Sequence, residues 1–325
     1  MAQETNSTNR SEIYDCAIIG GGPAGLSAAI GMGRALRKTA LFDADEGRTV
    51  WNQLNENYFG FPNGIRAREL VRRGRAQAQR FGAELRAEKV ASVSRQGQLF
   101  CLDVPGENEN EPLRARSLIV ATGVTDVWPD FPGVRRYVGH SLFWCITCDG
   151  FRCRDKRVVV LGNADEAATT ALQLLNYTSH VSFVCPEAEP LISTQKRRQM
   201  QRRGIPFLHG RIAKAKGTKG QLQAIWTEKG ECIELDYLFS MMGQVPNSQL
   251  AATLGATLVE RGCIKVDSEL KTNVPGLFAA GDVTHLPAQQ VATAVHQGTL
   301  AAASANYFLY SDVQKTLELA AKPAA

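Results

Sequence analysis

The chain has 325 residues, of which 44% are hydrophobic and 21% are charged, and its formal net charge is +5. This length allows two domains with separate cores, and the composition is typical of an ordinary soluble protein rather than of a disordered or fibrous one. No apolar run reaches the about 18 residues that a membrane span requires, so we expect peripheral membrane contact at most.

The cysteines and the basic residues are both dispersed along the chain. Eight cysteines at irregular spacings do not form a disulfide framework, and the polar start 1–12 has no apolar signal core. We therefore expect a reducing compartment and a cytoplasmic location. Arginines such as those of 66–75 follow helical patterns without interleaved aromatic residues, which favours solvated helix faces over a nucleic-acid site.

Residues 14–43 have the pattern of a nucleotide-binding strand, glycine turn, helix and strand. The apolar run 14–19 leads into GGGPAG, in which the first glycine permits a tight turn, the second admits a pyrophosphate and the third lets helix and strand pack closely. The strand 39–42 then ends at Asp43, a carboxylate suited to a ribose hydroxyl pair. The unit therefore predicts dinucleotide binding, with a solvated strand end as the alternative for Asp43.

The segment 65–123 is predicted to complete this first domain. An Arg-rich amphipathic helix and a strand are expected over 65–89, followed by an antiparallel ribbon over 90–104 with a polar turn near 107–111. The apolar strand 118–123 ends in Ala-Thr-Gly and precedes a Pro-rich segment. We expect it to return beneath the first nucleotide before the chain leaves the domain.

The middle of the chain reads FWCITCDG. Cys145 and Cys148 can close a small disulfide ring, and Asp149 follows where a departing thiolate needs a proton donor. The alternative is half of a zinc site, with His140 and Cys153 close in sequence, but a second ligand pair at finger spacing is missing. We therefore predict a redox disulfide and no metal.

The other cysteines have apolar strand neighbours and are predicted to be inert core residues. They are Cys16, Cys101, Cys185, Cys232 and Cys263.

A second unit of strand, Gly-rich turn, helix and strand follows over 157–184, about 140 residues after the first. Strands near 222–226 and 235–241 complete this domain. Near the C-terminus another apolar strand, 276–281, is followed by Asp282, and an Ala-rich helix is predicted to begin around Gln290.

The order of GGGPAG, ATG, CITCDG, the second Gly-rich turn and FAAGDV resembles the low-molecular-weight thioredoxin reductases, over roughly residues 13–310. The resemblance implies an α/β fold with two Rossmann-like nucleotide-binding domains, the second inserted in the first. Residues 1–124 and 248–325 would form the FAD-binding domain, and 125–247 would form an inserted NAD(P)H-like domain that carries the disulfide.

The resemblance also implies residue roles. Cys148 would be the sulfur next to the flavin, Cys145 would exchange with a partner thiol or disulfide, and Asp149 would be the general acid/base. Asp282 would bond the ribityl or phosphate region of FAD, and the helix after it would face the isoalloxazine. The expected FAD-binding residues are Gly20, Gly22, Pro23, Ala24, Gly25, Asp43, Trp51, Asn52, Gln53, Asn57, Ala121, Thr122, Gly123, Gly281, Asp282, Gln290 and Val291.

The second nucleotide motif departs from the family pattern. Ala164 replaces the second glycine, and Glu166 puts a carboxylate at the start of the helix, where phosphate charge should be received. Glu187 lies where the family has basic residues for the 2′-phosphate of NADPH, and its charge would repel that group. An NADH site could tolerate Glu187 on a free ribose, but the three changes together disfavour any nicotinamide dinucleotide.

The loop 49–55 also departs, because Trp51 and a polar run replace small residues over the flavin. Trp51 either stacks on an aromatic cofactor or fills a core. Because of Trp51 and of the Ile146-Thr147 pair between the cysteines, where the family usually has Ala-Thr, the chain resembles most the NADPH-independent, diflavin-linked disulfide oxidoreductases of oxygenic photosynthetic prokaryotes. That resemblance implies a second FAD.

We therefore expect a homodimeric flavoenzyme that takes two electrons from a thiol protein or small dithiol through Cys145 and Cys148 to FAD, with a second FAD as relay. Two alternatives remain open. One is a thioredoxin reductase fed by ferredoxin or another donor that is not NADPH, and the other is a flavin redox sensor without turnover.

Overall fold

The computed structural model describes residues 13–51, 53–105 and 112–315, without the side chains of 49 and 50. The polar start and the predicted turn near 107–111 lie outside these residues. The described chain folds as two compact units. Unit 1 comprises 13–50, 67–105, 112–125 and 245–315, and unit 2 comprises 51, 53–66 and 126–244.

The strands, in chain order, are β1 Ile13–Ile19, β2 Thr39–Phe42, β3 Leu54–Asn55, β4 Ile65–Arg66, β5 Glu84–Arg86, β6 Ser92–Gln96, β7 Leu99–Asp103, β8 Leu113–Val120, β9 Val124–Asp126, β10 Leu142–Phe143, β11 Val158–Gly162, β12 Val181–Cys185, β13 Phe207–His209, β14 Ile212–Thr218, β15 Gln221–Thr227, β16 Cys232–Glu234, β17 Tyr237–Met241, β18 Gln244–Pro246 and β19 Leu277–Ala279.

The α-helices are α1 Pro23–Arg34, α2 Ala67–Arg80, α3 Ile146–Asp149, α4 Asp165–Leu174, α5 Thr194–Arg202, α6 Gln249–Thr253 and α7 Val291–Leu309. Short 3-10 helices cover Arg48–Trp51, Val134–Tyr137, Gly150–Cys153 and Glu260–Gly262. Among the described helices, none is both long and apolar enough to cross a bilayer.

Unit 1 is built on a seven-stranded sheet in the order β5-β2-β1-β8-β7-β6, with β19 also paired to β8. The parallel strands of this sheet are β1, β2, β5, β8 and β19, whereas β6 and β7 form the predicted antiparallel ribbon. β2, β19, residues 16–19 of β1 and residues 117–120 of β8 are buried and mostly apolar because helices cover them, which is why they lack the alternation of a half-exposed strand.

Small residues let α1 and α7 approach closely. A Cβ built on Gly298 would lie 2.0 Å from the carbonyl oxygen of Ala24, and one built on Gly31 would lie 2.7 Å from the Cβ of Ala302. Neither position has room for a larger side chain. This packing joins the helix that follows the glycine turn to α7, the long helix that follows β19.

Unit 2 has a five-stranded parallel sheet in the order β10-β17-β11-β12-β13 and a separate antiparallel sheet, β14-β15-β16. The strand, turn, helix and strand predicted over 157–184 are present as β11, α4 and β12. Both units therefore contain a parallel sheet with helical crossovers, and the predicted α/β fold with Rossmann-like sheets is confirmed.

The chain passes between the units at 125/126 and 244/245, one and three residues from the predicted boundaries. The segment 51–66, which the resemblance places in the FAD-binding domain, groups instead with unit 2. Contacts of its side chains explain this grouping. The Trp51 ring lies 4.5 Å from that of Trp128, centroid to centroid, and Glu56 forms an ion pair with Arg152.

The prediction for the remaining cysteines needs one correction. Cys16, Cys101 and Cys185 are buried, and Cys263 is partly buried. Cys232 is exposed, so the prediction of a core residue is wrong there. The reason is that β16 pairs with β15 alone and lies at the edge of its small antiparallel sheet.

Candidate active site

Cys145 and Cys148 form a disulfide with their Cα atoms 5.3 Å apart. The single turn of α3 brings them together, because residues three apart lie on the same side of a helix. Cys145 is the extended residue just before this turn, and its Sγ accepts a hydrogen bond of 3.1 Å from the backbone N–H of Cys148. The CxxC spacing and the turn together therefore produce the ring that the sequence predicts.

Asp149 ends the same turn, and its side chain is only 14% exposed. Burial raises the pKa of Asp149 to about 6, and the negative charge of Glu56 adds to the rise, while the Arg152 guanidinium opposes it. The Nε of Arg152 donates to Oδ1 of Asp149 at 3.2 Å, and Nη2 of Arg152 pairs with Glu56. A carboxyl group with this pKa can take up and release a proton near neutral pH.

Two further ionisable groups lie close to Arg152 and stay neutral. Burial, with a smaller contribution from the charge of Asp149, raises the pKa of the Cys153 thiol to about 12. Burial also raises the pKa of Tyr237. Among the described residues, no group of three or more His, Cys, Asp or Glu side chains could hold a metal ion.

Three tryptophans of unit 2 form an indole cluster that ends beside the disulfide. The ring centroids of Trp51 and Trp128 are 4.5 Å apart, and those of Trp128 and Trp144 are 5.1 Å apart. Trp144 directly precedes Cys145, and the Arg135 guanidinium lies 5.8 Å from the Trp51 ring centroid. All three indoles are partly exposed, so the cluster is packed within unit 2 and still offers aromatic surface.

The three motif glycines of the turn in unit 1, Gly20, Gly22 and Gly25, differ in the space around them. A Cβ on Gly20 would lie 2.3 Å from the carbonyl oxygen of Ala121, and one on Gly25 would lie 1.8 Å from that of Gly20. A Cβ on Gly22 would meet no protein atom within 4 Å. Gly20 and Gly25 are therefore required by packing, whereas Gly22 leaves open space at the start of α1.

Asp43 directly follows β2 and lies against this turn. A Cβ on Gly21 would come within 2.1 Å of Oδ2 of Asp43, and that same oxygen accepts a hydrogen bond of 2.5 Å from Nη2 of Arg75. Arg75 also pairs with Asp45 at 3.2 Å. This contact corrects the interpretation of 66–75 as a wholly solvated basic face, because Arg75 reaches across to the end of β2.

The predicted residues after β19 also lie close to the start of α1. The N–H of Gly281 donates to Oε1 of Gln297 at 2.6 Å, and a Cβ on Gly281 would lie 3.0 Å from that of Ala24. Asp282 pairs with Arg48 at 3.1 Å. Gln290 is the residue that precedes α7, and Val291 is its first residue, as the sequence predicts.

The Ala-Thr-Gly segment follows β8 at the same edge of the sheet. Ala121 lies against Gly20, and Gly123 follows in a left-handed conformation with φ of +65°. The hydroxyl of Thr122 donates to the carbonyl oxygen of Asn247 at 2.6 Å, and the Asn247 amide donates back at 3.0 Å. Thr122 is therefore fixed by the chain that enters unit 1 a second time.

Unit 1 thus collects residues that fit FAD. α1 has no acidic residue in its first turn, so its N–H groups and helix dipole are available to a pyrophosphate, and Asp43 offers a carboxylate for ribose hydroxyls. Trp51, Gln53 and Asn57 are instead part of unit 2, and Asn52 lies outside the described residues. Gln53 packs close to Gly139, and Asn57 is exposed.

The second glycine turn, in unit 2, differs from the first in charge. α4 begins with Asp165 and Glu166 in its first turn. Oδ1 of Asp165 accepts a hydrogen bond of 2.7 Å from the N–H of Ser193, and Leu191 forms a β-bridge with Ala164. The chain after β12 therefore lies against the turn at which a second pyrophosphate would bind, and two carboxylates stand at the helix start.

The sequence did not identify the partners of the acidic site residues. Arg48, Arg75 and Arg152 each pair with an aspartate that the motifs single out. Glu56 and Gln297 belong to no motif. Only the position of Arg152, three residues after Asp149 within one turn of chain, was a local signal that could have revealed a pair.

Comparison with known proteins agrees with this geometry. Residues 14–298 match the family described as pyridine nucleotide-disulphide oxidoreductase. Thioredoxin reductase from Eremothecium gossypii is 34% identical over 309 residues, which cover 90% of this chain and 97% of that protein. Among solved structures, HlmI matches with a TM-score of 0.85 at 28% identity, covering 97% and 98% of the two chains. Thioredoxin reductase from Streptococcus pyogenes matches with a TM-score of 0.82 at 25% identity, covering 91% and 98%.

The family match and the near-complete coverage agree with the disulfide of unit 2 and the glycine turn of unit 1. The chain belongs to the pyridine nucleotide-disulphide oxidoreductase family and is a thioredoxin reductase-like flavoenzyme.

Proposed function

We propose that this enzyme passes two electrons from an external dithiol, through the Cys145–Cys148 disulfide, to FAD, and that it does so without NADPH. The observation that supports this most directly is the contrast between the two glycine turns. The turn of unit 1 leads into a helix with no acid in its first turn, whereas the turn of unit 2 leads into one with two.

The charge around the second turn opposes a nicotinamide dinucleotide. Asp165 and Glu166 occupy the helix start, where they add negative charge to a place that a pyrophosphate would need positive. Glu187 follows β12 and pairs with Arg211 at 3.9 Å, and because the Arg211 side chain is largely exposed, it screens Glu187 weakly. A 2′-phosphate would meet a net repulsion here.

The partner is proposed to be a thiol protein or a small dithiol, and the enzyme is proposed to be a homodimer. Relatives that match along nearly their whole length are named thioredoxin reductases, which supports a protein dithiol of the thioredoxin kind. The Cys145–Cys148 pair is partly exposed, so its sulfurs can meet such a partner.

The disulfide step follows from the residues beside the sulfurs. A partner thiol gives its proton to the Asp149 carboxylate and attacks Sγ of Cys145; the Cys145–Cys148 bond breaks, and Cys148 leaves as a thiolate with the electron pair. The second partner thiol then releases a proton to solvent and attacks the partner sulfur that is bonded to Cys145 in the mixed disulfide. Cys145 departs and receives the proton that Asp149 holds, so the partner is oxidised by two electrons and the enzyme disulfide is reduced.

When bound, FAD supplies an acceptor for the two electrons of Cys148. The residues of unit 1 that would hold it are the glycine turn, Asp43, Thr122 and Asp282. Gly22 leaves room for the pyrophosphate, and the Arg75 contact fixes the Asp43 carboxylate at the end of β2. Arg48, paired with Asp282, adds a positive charge that would favour the phosphates.

A second FAD is proposed to bind at the indole cluster of Trp51, Trp128 and Trp144. Partly exposed indoles favour stacking with an aromatic ring system. The indole N–H of Trp144 is buried and has no acceptor among the described residues, so a bound ring with acceptor atoms would satisfy it. Arg135, over the Trp51 ring, supplies positive charge for a phosphate group.

Anaerobic reduction of the purified holoenzyme tests the electron source. We expect dithiothreitol to bleach the flavin absorbance within seconds to minutes, because it reduces the partly exposed disulfide. NADPH at millimolar concentration should leave the flavin oxidised over the same time. Bleaching by micromolar NADPH at a comparable rate would contradict the proposal and restore an NADPH-dependent reductase.

Flavin stoichiometry tests the second site. We expect two FAD per chain in the purified protein and one in a Trp51→Ala variant, because the outer indole of the cluster is lost. The matched control is Trp226→Ala, which removes a half-buried tryptophan of β15 that stacks with Lys214 instead. One FAD per chain in the wild-type protein would exclude the relay while leaving the dithiol step intact.

A further inference from the structure

We propose that Arg152 and Glu56 are positioning residues for Asp149. Arg152 holds the carboxyl group beside the disulfide, and Glu56 pairs with the same guanidinium and partly neutralises its charge. Asp149 therefore stays able to exchange a proton. This inference deepens the proposed function and rests on its disulfide step. It assigns roles to two residues that the motifs of the chain do not include.

The contacts of Arg152 fix it in one place. Its Nε donates to Oδ1 of Asp149 at 3.2 Å, and its Nη2 pairs with Glu56, so the two edges of the guanidinium are used by two different carboxylates. The Phe151 ring centroid lies 4.9 Å from its Cζ, and that of Phe143 lies 5.9 Å away. The Arg152 side chain is 27% exposed, so water covers it only in part and its contacts are stronger than those of a fully solvated arginine.

The charge balance explains why two residues are needed. An arginine alone beside Asp149 would stabilise the carboxylate form and hold the group ionised. Glu56 acts in the opposite sense, since its negative charge disfavours a second negative charge nearby. Arg152 can therefore orient Asp149 without fixing its protonation state, and the buried position of Asp149 sets a pKa of about 6.

The other ionisable groups around Asp149 and Arg152 do not provide this balance. Cys153 is buried, with its pKa raised to about 12, and Tyr237, whose pKa is also raised, packs nearby on β17. Both are neutral between pH 5 and pH 8, so neither changes charge as Asp149 titrates. The sulfurs of Cys145 and Cys148 carry no proton while they are joined.

The two positioning residues make opposite predictions for the same titration. Asp149 acts as a base toward the incoming thiol, so the rate of disulfide reduction should rise as pH passes through its pKa. Glu56→Gln removes a negative charge and should move this inflection to lower pH, by about half a unit or more. Arg152→Ala removes a positive charge and should move it to higher pH and lower the plateau rate by about tenfold, since the carboxyl group loses its orientation.

The experiment follows reduction of the Cys145–Cys148 disulfide in the holoenzyme by dithiothreitol between pH 5 and pH 8. Samples are quenched with iodoacetamide, and alkylation of the two cysteines is counted by mass spectrometry. Under anaerobic conditions the reduced cysteines accumulate once any bound flavin has been reduced, and they accumulate from the start if electrons never reach FAD and the proposed function fails. Subtracting the rate of an Asp149→Asn variant removes the parallel reaction of the reagent's own thiolate, which does not need the carboxylate.

Arg152→Lys and Arg154→Ala are the matched variants. The lysine keeps a positive charge near both carboxylates, so we expect it to restore the wild-type inflection and part of the plateau rate. Arg154 is exposed, with no described contact to Asp149, and its removal should change neither quantity. Shifts in the same direction for Glu56→Gln and Arg152→Ala, or no shift in either, would overturn the proposal, because a purely structural pair would not move the inflection in opposite senses.

Discussion

A Cys145→Ser protein is expected to lose dithiol oxidation by at least about a thousandfold. Serine cannot form the bond with Cys148, so the partner thiol has no enzyme disulfide to attack, and the two electrons cannot be taken up. The fold should be unaffected, because Cys145 is only partly buried and its disulfide with Cys148, three residues on, closes only a very short loop. Steady-state turnover of a dithiol with an artificial electron acceptor measures the loss.

Cys232→Ser is the matched control for this variant. Cys232 is an exposed thiol on the edge strand β16, so it has the same chemistry available to solvent without the disulfide partner. We expect its turnover to equal that of the wild-type enzyme. More than a tenth of wild-type turnover in Cys145→Ser would mean that electrons reach the flavin without the disulfide. Absence of turnover in the wild-type protein would favour the redox sensor.

Local patterns in the sequence predicted the parts of the site that depend on neighbours in the chain. The glycine turn, the strand ending at Asp43 and the start of α7 at Val291 each follow from residues within about four positions of one another. The disulfide is of the same kind, because one helical turn closes it. In each case the local chain has few other conformations in which its backbone N–H and C=O groups are hydrogen-bonded and its apolar side chains are buried.

Contacts between distant segments could not be predicted in this way. Arg75 has the spacing of a solvated helix face, and only the packing of α2 brings it to Asp43, 32 residues away. Glu56 reaches Arg152 across 96 residues of sequence. A charged side chain has the same local pattern whether it meets water or a distant partner, since the choice is made by tertiary structure.

The position of Trp51 could not be predicted from the sequence either. Its sequence context allowed either cofactor stacking or core packing. The structure packs Trp51 against Trp128 and leaves it partly exposed, and the segment 51–66 belongs to unit 2. Burial of indole surface is non-directional, so the sequence contains no signal for which of two units it joins.

Two neighbouring glycine replacements should separate folding from FAD binding. In Gly25→Ala the new methyl group would lie 1.8 Å from the carbonyl oxygen of Gly20, and neither backbone can move without breaking the turn between β1 and α1. We expect the free energy of unfolding to fall by about 3 kcal/mol or more, with or without FAD. Chemical denaturation of the apoprotein and the holoenzyme measures this.

Gly22→Ala should behave in the opposite way. Gly22 has φ of −75° and ψ of −175°, which alanine adopts without strain, and its Cβ would meet no protein atom within 4 Å. The apoprotein should therefore keep its free energy of unfolding to within about 1 kcal/mol, the usual loss for alanine at a helix N-cap. FAD should nevertheless bind at least about tenfold more weakly, because the methyl group would enter the space through which the N–H groups at the start of α1 reach a pyrophosphate. Equal FAD affinity in Gly22→Ala and the wild-type protein, measured by titration of the apoproteins, would place the pyrophosphate elsewhere in unit 1.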